Sequence, residues 1–236
     1  MKPVRSRVIA IAGAKGSPGC SFLAIALARC LAANNIPTLL LDGDAEGGGV
    51  AAILDLGPIL PVAVLDGHAM DVSSVQVETL LWFAELGQST AASFNGLEFA
   101  SAARARHKAV VVDLGHSVGA LQRQLSAASD WLLWVVVPDR SGLERADRVL
   151  ASGVLGAASA GLVFNRINRG CLDRADEVLS SRHRMPVMAR INEDPRIADR
   201  LSQGRPLHRE WRLRRTLRDL TRSIHPDAGS VAPGWP

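Results

Sequence analysis

The fold is decided by the stretch VIAIAGAKGSPGCSFLAIALARCLA, residues 8 to 32. Residues 8 to 12 form an apolar run typical of a buried parallel strand, and residues 20 to 34 have the pattern of an apolar helix. Glycines between them let backbone N–H groups turn toward a phosphate, and a helix start adds partial positive charge. The stretch indicates a phosphate-binding loop, and a plain glycine-containing turn is the alternative.

One position of this loop departs from the usual pattern. That pattern is G-x-x-x-x-G-K-[ST], and Cys20 stands where it has lysine. Ser21 follows and would supply the hydroxyl that holds Mg²⁺. A thiol at a helix start can have a lowered pKa, which leaves a redox role open for Cys20. The simpler interpretation is a small residue that fills the space left by the lysine.

Apolar runs alternate with helical patterns along the rest of the chain. Residues 72–87 are interpreted as a helix and 95–100 as a short strand, and Ser141 with Glu144 predicts a capping box. The alternation predicts an α/β fold with a three-layer, doubly wound, mostly parallel sheet and helices on both faces. The other predicted strands are 37–44, 108–115, 130–138, 160–166 and 186–191, and the other helices are 119–129, 141–153, 171–181 and 194–204.

The composition is typical of a soluble globular domain, with 47% hydrophobic and 21% charged residues. No apolar run reaches the ~18–20 residues that span a bilayer. Basic residues precede an apolar run at the N-terminus, but that run is too short for a signal peptide. We therefore expect a cytoplasmic protein. Cys20, Cys30 and Cys171 have unrelated spacings and indicate neither a disulfide framework nor a zinc site.

Polar residues follow several predicted strands at the edge where ligands bind in doubly wound sheets. Asp42 and Asp44 end the second strand, where carboxylates can orient water or stabilise Mg²⁺. Asp113 follows four apolar residues, as a Walker B acid does. Asn165 ends another strand and could read a base edge. Each residue alone is also typical of a turn or cap, but their order along the chain predicts a nucleotide site.

This pattern resembles the MinD/ParA class of deviant Walker A ATPases over residues 8 to about 206. The loop of that class is K-G-G-x-G-K-T-T, and Lys15 matches its signature lysine, which contacts the phosphates of the other subunit in a nucleotide-sandwiched dimer. The stretch RINEDPRIADRLSQGRPL, from residue 190, is similar to a family segment beside the adenine. The resemblance implies a P-loop NTPase fold, ATP/ADP and Mg²⁺ as cofactors, and an ATP-sandwich homodimer.

The resemblance also assigns roles to individual residues. Lys15 and Asp44 are the catalytic candidates, and Asp44 would orient the attacking water. Ser21, Asp42 and Asp113 are the candidates for holding Mg²⁺. The nucleotide-binding candidates are Gly16, Ser17, Pro18, Gly19, Cys20, Ser21, Phe22, Asn165 and Arg166.

Departures from the family pattern favour one subgroup. Cys20 replaces the second lysine, and Ser17-Pro18 replaces the usual G-x. The TadZ/CpaE pilus-localisation proteins and the actinobacterial septum-site-determining-like proteins resemble this chain in keeping only the first lysine. Cellulose-secretion accessory proteins of the class can lack the second lysine too. This resemblance implies a partner protein from a pilus, secretion or division system.

Two functions stay open. One is an ATP-binding, weakly active or inactive ATPase that serves as a nucleotide-dependent dimeric positioning or scaffold protein. The other is an active ATPase that drives a partition or division-site cycle with DNA or membrane binding. A nitrogenase-type reductase is excluded, because it needs paired cysteines after the Walker B strand and Cys171 stands alone.

The positive charge is concentrated near the C-terminus. Residues 205–225 carry seven arginines against two acids, whereas the whole chain has a net charge of +4. We predict a nucleotide-binding domain over 1–206, a basic amphipathic helix over 207–225 and a disordered tail over 226–236. The apolar stripe of that helix consists of Leu213, Leu217, Leu220 and Ile224.

Packing of this helix on the domain is the favoured interpretation. An anionic membrane surface or an acidic partner is the alternative, and nucleic acid is favoured less. Membrane binding would place the protein peripherally at the inner membrane face or a cell pole.

Overall fold

The structure is a computed structural model. It describes residues 5–16, 18–44, 49–56, 74–86, 94–168, 174–202 and 211–229. Ser17, Cys171, Gly204 and the end of the chain from residue 230 lie outside the described residues. The tail that we expect to be disordered begins, within the described part, with a 3-10 helix at Pro226–Gly229.

One sheet of eight strands forms the centre of the described part of the chain, in the order β3-β4-β2-β5-β1-β6-β7-β8. Every pairing is parallel except β3 with β4. The central strands are buried and almost wholly apolar, as expected when helices cover both faces. The strands are β1 (Arg7–Gly13), β2 (Thr38–Asp42), β3 (Val75–Glu78), β4 (Leu81–Glu85), β5 (Ala109–Asp113), β6 (Trp131–Val136), β7 (Ser159–Ile167) and β8 (Val187–Asn192).

Helices pack on both faces of this sheet, which confirms the predicted doubly wound α/β fold. Ile9 and Ile11 of β1 belong to one core cluster, and Val8, Ala10 and Ala12 to the other, so the strand alternates between faces. The first cluster includes α1 and α8, and the second includes α3 to α6. The helices are α1 (Cys20–Ala33), α2 (Gly49–Ile53), α3 (Gly96–Arg106), α4 (Ala120–Ala127), α5 (Arg140–Ser152), α6 (Ala175–His183), α7 (Pro195–Ser202) and α8 (Trp211–Ile224).

Two predicted elements are wrong. Residues 74–86, the described part of the stretch 72–87, form the antiparallel pair β3 and β4 and not a helix. β4 also pairs with β2, so its apolar residues are buried by the sheet. Residues 95–100 are not a strand, because the Asn95 side chain accepts from the N–H groups of Leu97 and Glu98 at 3.1 and 3.3 Å and starts α3.

The C-terminal helix α8 packs on the sheet. Leu213, Leu217, Leu220 and Ile224 are at most 6% exposed and share the core cluster that contains α1. Arg215, Arg218 and Arg222 lie on its exposed side. Among the described residues, no helix is both long and apolar enough to cross a membrane.

Candidate functional site

The phosphate-loop candidate connects β1 to α1, as the sequence predicts. Gly19 precedes α1 with a φ of 96°, a conformation that glycine adopts without steric cost. Lys15 and Gly16 lie in the preceding turn, where Gly16 is exposed. The first N–H groups of a helix have no partners within the helix, so the start of α1 offers donors to an anion.

The loop is closely packed around position 20. A Cβ on Gly13 would overlap the Pro18 ring and would lie 2.9 Å from the Cys20 sulfur. Pro18 and Cys20 are both buried. Cys20 therefore fills the interior of the loop with an uncharged side chain at the lysine position.

The environment of Cys20 argues against a reactive thiolate. Burial raises the pKa of the Cys20 thiol well above its usual value, and the nearby negative charges of Asp113 and Asp44 raise it further. A thiol of this kind stays protonated at neutral pH. The redox role that a helix start could promote is therefore disfavoured, and the interpretation as a space-filling residue gains support.

Asp42 and Asp113 meet at the carboxyl edge of the sheet. They are direct partners in the register between β2 and β5. Burial and then the charge of Asp113 raise the pKa of Asp42 to about 7. Burial likewise raises the pKa of Asp113, although the nearby Ser21 hydroxyl opposes that shift. The three residues that the sequence predicts around Mg²⁺ are thus brought together.

The oxygens in this cluster fit a divalent cation. Within the described residues, Asp113 Oδ2 is buried and has no hydrogen-bond partner, while Oδ1 accepts from the N–H of Gly115 at 3.0 Å. Mg²⁺ in nucleotide sites is usually held by one or two carboxylates together with substrate phosphates. In the described part of the chain, no group of three or more His, Cys, Asp or Glu side chains is arranged to hold a metal alone.

Asp44 lies beside the turn that follows Asp113. Gly115 has a φ of 63°, and a Cβ on it would overlap the Asp44 carboxylate. The turn that carries Asp44 is also held by Gln122, whose side chain donates to the Gly43 carbonyl at 3.0 Å. Sequence reasoning missed Gln122, because a glutamine within an amphipathic helix gives no signal of where it is buried.

Lys15 is held within its own chain by α5. Its ammonium donates to Asp139 Oδ2 at 2.7 Å and to Ser141 Oγ at 3.3 Å. Hydrogen bonding to Lys15 lowers the pKa of Asp139 to about 2.

Asp139 also caps the helix α5. Its carboxylate accepts from the Gly142 N–H at 2.6 Å, so the predicted N-cap at Ser141 is wrong. Sequence reasoning missed Asp139, although its position after β6 follows the same strand-end rule that identified Asp42 and Asp113.

The remaining predicted nucleotide-binding residues occupy different environments. Asn165 is 5% exposed at the end of β7, and its amide donates to the Pro18 carbonyl at 2.8 Å. Arg166 is exposed with a φ of 56°. Phe22 is 7% exposed and belongs to the core cluster around α1, and its ring also lies near Gly19, since a Cβ on Gly19 would be 4.0 Å from it.

A groove lies beyond the end of β8. It has a volume of about 710 Å³ and is lined by residues 190–197 of β8 and α7 together with Leu213 and Thr216 of α8. These residues overlap the segment that the resemblance places beside an adenine. Residues 190–197 of that segment therefore line an open groove at the carboxyl end of β8.

The sequence model of the CobQ/CobB/MinD/ParA nucleotide binding domain matches residues 9–207. The chain belongs to this family. The matched residues include the loop after β1, the acids after β2 and β5, and Asn165 after β7. The site described above is therefore part of the nucleotide-binding domain that defines the family.

Solved structures share the fold of this family member. The septum site-determining protein MinD of Pyrococcus horikoshii, complexed with Mg-ADP, aligns with a TM-score of 0.75 and 19% identity over 95% of this chain and 98% of that one. A ParA family ATPase from Chlorobium tepidum aligns with a TM-score of 0.76 and 18% identity over 94% of this chain and 99% of that one. Apo McdA of Cyanothece aligns with a TM-score of 0.72 and 13% identity over 92% of this chain and 99% of that one. Comparison with curated protein sequences finds no significant match.

Proposed function

We propose that this chain binds ATP or ADP with Mg²⁺ and acts as a nucleotide-dependent dimeric positioning or scaffold protein with slow or no ATP hydrolysis. One observation carries the proposal: a buried, protonated thiol occupies the lysine position, while Lys15, Ser21, Asp42 and Asp113 remain around the loop. The site thus keeps the groups for holding a nucleotide and lacks one cationic group. The loop belongs to the deviant Walker A type on this proposal.

Each retained residue has a defined role. Backbone N–H groups of the loop and of the start of α1 bind phosphate oxygens. Ser21 and Asp113 would hold Mg²⁺, with Asp42 beside them, and the ion would neutralise negative charge on the phosphates. Asp44 orients water, and Lys15 leaves Asp139 to contact the phosphates of the second copy in the dimer. Asn165 lies on the side of the site where the nucleotide base binds.

The missing lysine should affect hydrolysis more than binding. A hydrogen bond to a charged group contributes roughly 1.5–3 kcal/mol, which corresponds to about a 10- to 150-fold loss of affinity. Positive groups contribute most to the transition state of phosphoryl transfer, so turnover loses more than affinity does. ATP binding therefore survives this substitution, while the catalytic cycle slows.

The pattern with one lysine favours the subgroup of TadZ/CpaE and septum-site-determining-like proteins. On this proposal the partner is a protein of a pilus, secretion or division system, and the dimer marks the site where that system assembles. MinD of Aquifex aeolicus has been solved in complex with MinC, a precedent for partner recruitment by this fold. The alternative is an active ATPase that drives partition or division-site positioning with DNA or membrane binding.

The arginines of α8 support a peripheral membrane location. The apolar stripe of α8 is buried in the core, so it is not available for insertion into a bilayer. Arg214, Arg215, Arg218 and Arg222 line an open groove with Asp219 and form a basic surface. This surface fits an anionic membrane through electrostatic attraction alone, and nucleic acid is favoured less.

The proposal is tested by measuring the mass of the protein in solution with and without Mg-ATP. We expect the wild type to form dimers only with nucleotide and the Lys15→Gln variant to bind ATP without dimerising. Lys108→Gln is the matched control, because Lys108 is exposed beside β5 at the opposite end of the sheet. A wild type that binds no ATP, or a Lys15→Gln variant that dimerises like the control, would contradict the proposal.

A further inference from the structure

We propose that Asn165 is a positioning residue for the phosphate loop, in addition to its role on the base side. The inference rests on the proposed nucleotide site, and it concerns how that site keeps its shape without the second lysine. Asn165 and Pro18 are 147 residues apart in the sequence, yet the side-chain amide of Asn165 donates to the Pro18 carbonyl at 2.8 Å. The end of β7 is thereby joined directly to the loop after β1.

Burial makes this hydrogen bond costly to lose. Asn165 is 5% exposed, and Pro18 is buried as well. A buried carbonyl that loses its donor also loses access to water, so its desolvation is no longer compensated. The bond therefore constrains the loop more strongly than an exposed hydrogen bond would.

The bond also sets the direction of the next backbone N–H. In a trans peptide the carbonyl and the following N–H point in opposite directions. Because the Pro18 carbonyl points at Asn165, the N–H of Gly19 points away from Asn165. Backbone amides of such loops form the concavity that binds phosphate, so Asn165 orients one of the candidate donors.

The loop is shaped to accept Asn165. Gly19 has a φ of 96°, and a Cβ at this position would overlap the Asn165 amide nitrogen. Pro18, whose carbonyl Asn165 holds, packs its ring against Gly13 on the other side. Pro18 is thus fixed both through its ring and through its carbonyl, although no lysine side chain crosses the loop.

A residue that only reads the base has no effect on a ligand without a base. We therefore compare the affinities of the full-length wild type and of Asn165→Leu for Mg-ATP and for Mg-tripolyphosphate. Loss of the clamp, the hydrogen bond from Asn165 to the Pro18 carbonyl, should weaken the binding of both ligands by a similar factor, about 3- to 10-fold. Asn168→Leu is the matched control, because Asn168 follows the same strand but is exposed. The control should retain wild-type affinity for both ligands.

The outcomes separate this proposal from the proposed function. If Asn165→Leu loses affinity for ATP but binds tripolyphosphate like the wild type, the clamp is refuted and the nucleotide site stands. If the wild type binds neither ligand, both proposals fail.

A second measurement avoids the variant in case Asn165→Leu does not fold. In the wild type, tripolyphosphate should shift the NMR resonances of the Asn165 side-chain amide, although this ligand has no base. Unchanged Asn165 resonances at saturating tripolyphosphate would overturn the proposal.

Discussion

Position 20 shows how one residue can change the charge of a phosphate loop and leave its shape intact. The thiol packs against Gly13 inside the loop and is kept protonated by burial and by neighbouring acids. The same burial raises the pKa of both Asp42 and Asp113, which are direct partners in the register of β2 and β5. A bound cation would therefore favour the ionised form of this acid pair.

The pH dependence of stability should reveal this buried acid pair in the protein without Mg²⁺ and nucleotide. The pKa of Asp42 is raised to about 7, so protonation favours the folded state. Stability from this group is fully present below the unfolded pKa of about 3.9 and is lost as pH rises toward 7. Relative to Asp42→Asn, the wild type should lose on the order of 2 kcal/mol of unfolding free energy between pH 5 and 8.

Urea unfolding of both proteins at several pH values measures this difference. Asp147→Asn serves as the control, because the pKa of Asp147 is lowered by hydrogen bonding to His183 and its carboxylate is not buried. Parallel pH profiles for the wild type and Asp42→Asn would show that Asp42 does not titrate in this range.

The contact between Lys15 and Asp139 should oppose dimerisation. Asparagine caps helices about as well as aspartate, so Asp139→Asn keeps the cap of α5 and removes the ion pair. Because exposed ion pairs contribute about 0–1 kcal/mol, the ATP-dependent dimer should become tighter by a factor of up to about five. Sedimentation measures this effect in the wild type, in Asp139→Asn and in the control variant Asp147→Asn. A dimer that is weaker in Asp139→Asn alone would reverse the role assigned to this contact.

At the scale of elements, the sequence predicts the strands of the sheet better than the connections between them. β1, β2, β5, β6 and β7 are recognisable because buried parallel strands contain continuous apolar runs. The edge strand β8 is recognisable by apolar residues that alternate with polar ones at its end. The sequence of β3 and β4 predicts a helix instead, because Leu80 in the turn directly precedes Leu81 at the start of β4 and the pattern shows no clear alternation. The contact between Lys15 and Asp139 depends on how β1 and β6 pair, which is not visible before the fold is known.

The packing of α8 predicts which of its side chains stabilise the domain. Leu220 is fully buried, and Leu220→Ala should lower the free energy of unfolding by about 2–5 kcal/mol. Arg218 is exposed on the same helix, and Arg218→Gln should change the free energy of unfolding by less than about 0.5 kcal/mol. Denaturant unfolding compares the two. Equal, small effects would mean that α8 does not pack on the domain in solution.

Binding of α8 to membranes should be purely electrostatic. Arg215→Gln combined with Arg222→Gln should weaken binding to vesicles with anionic lipids by about 1 kcal/mol per arginine, and added salt should abolish wild-type binding. Neutral vesicles provide the control, and co-sedimentation is the measurement. Binding to neutral vesicles that resists salt would indicate that the apolar stripe leaves the core.

The whole molecule, on the proposed function, binds ATP and hydrolyses it slowly. The sequence predicts where most of the candidate residues lie, since Lys15 and Ser21 follow β1 and Asp42 and Asp113 end β2 and β5. It does not predict how these groups are engaged in the monomer, because the partners come from distant segments. The contact of Lys15 with Asp139, the bond from Gln122 to Gly43 and the bond from Asn165 to Pro18 became visible only in the structure.

The most direct test measures Mg-ATP affinity and steady-state turnover in one preparation, for the wild type and for Cys20→Lys. We predict that the wild type binds Mg-ATP and dimerises with little hydrolysis, and that Cys20→Lys increases turnover more than it increases affinity. Wild-type turnover as fast as that of active MinD- or ParA-type ATPases, with Cys20 in place, would contradict the account.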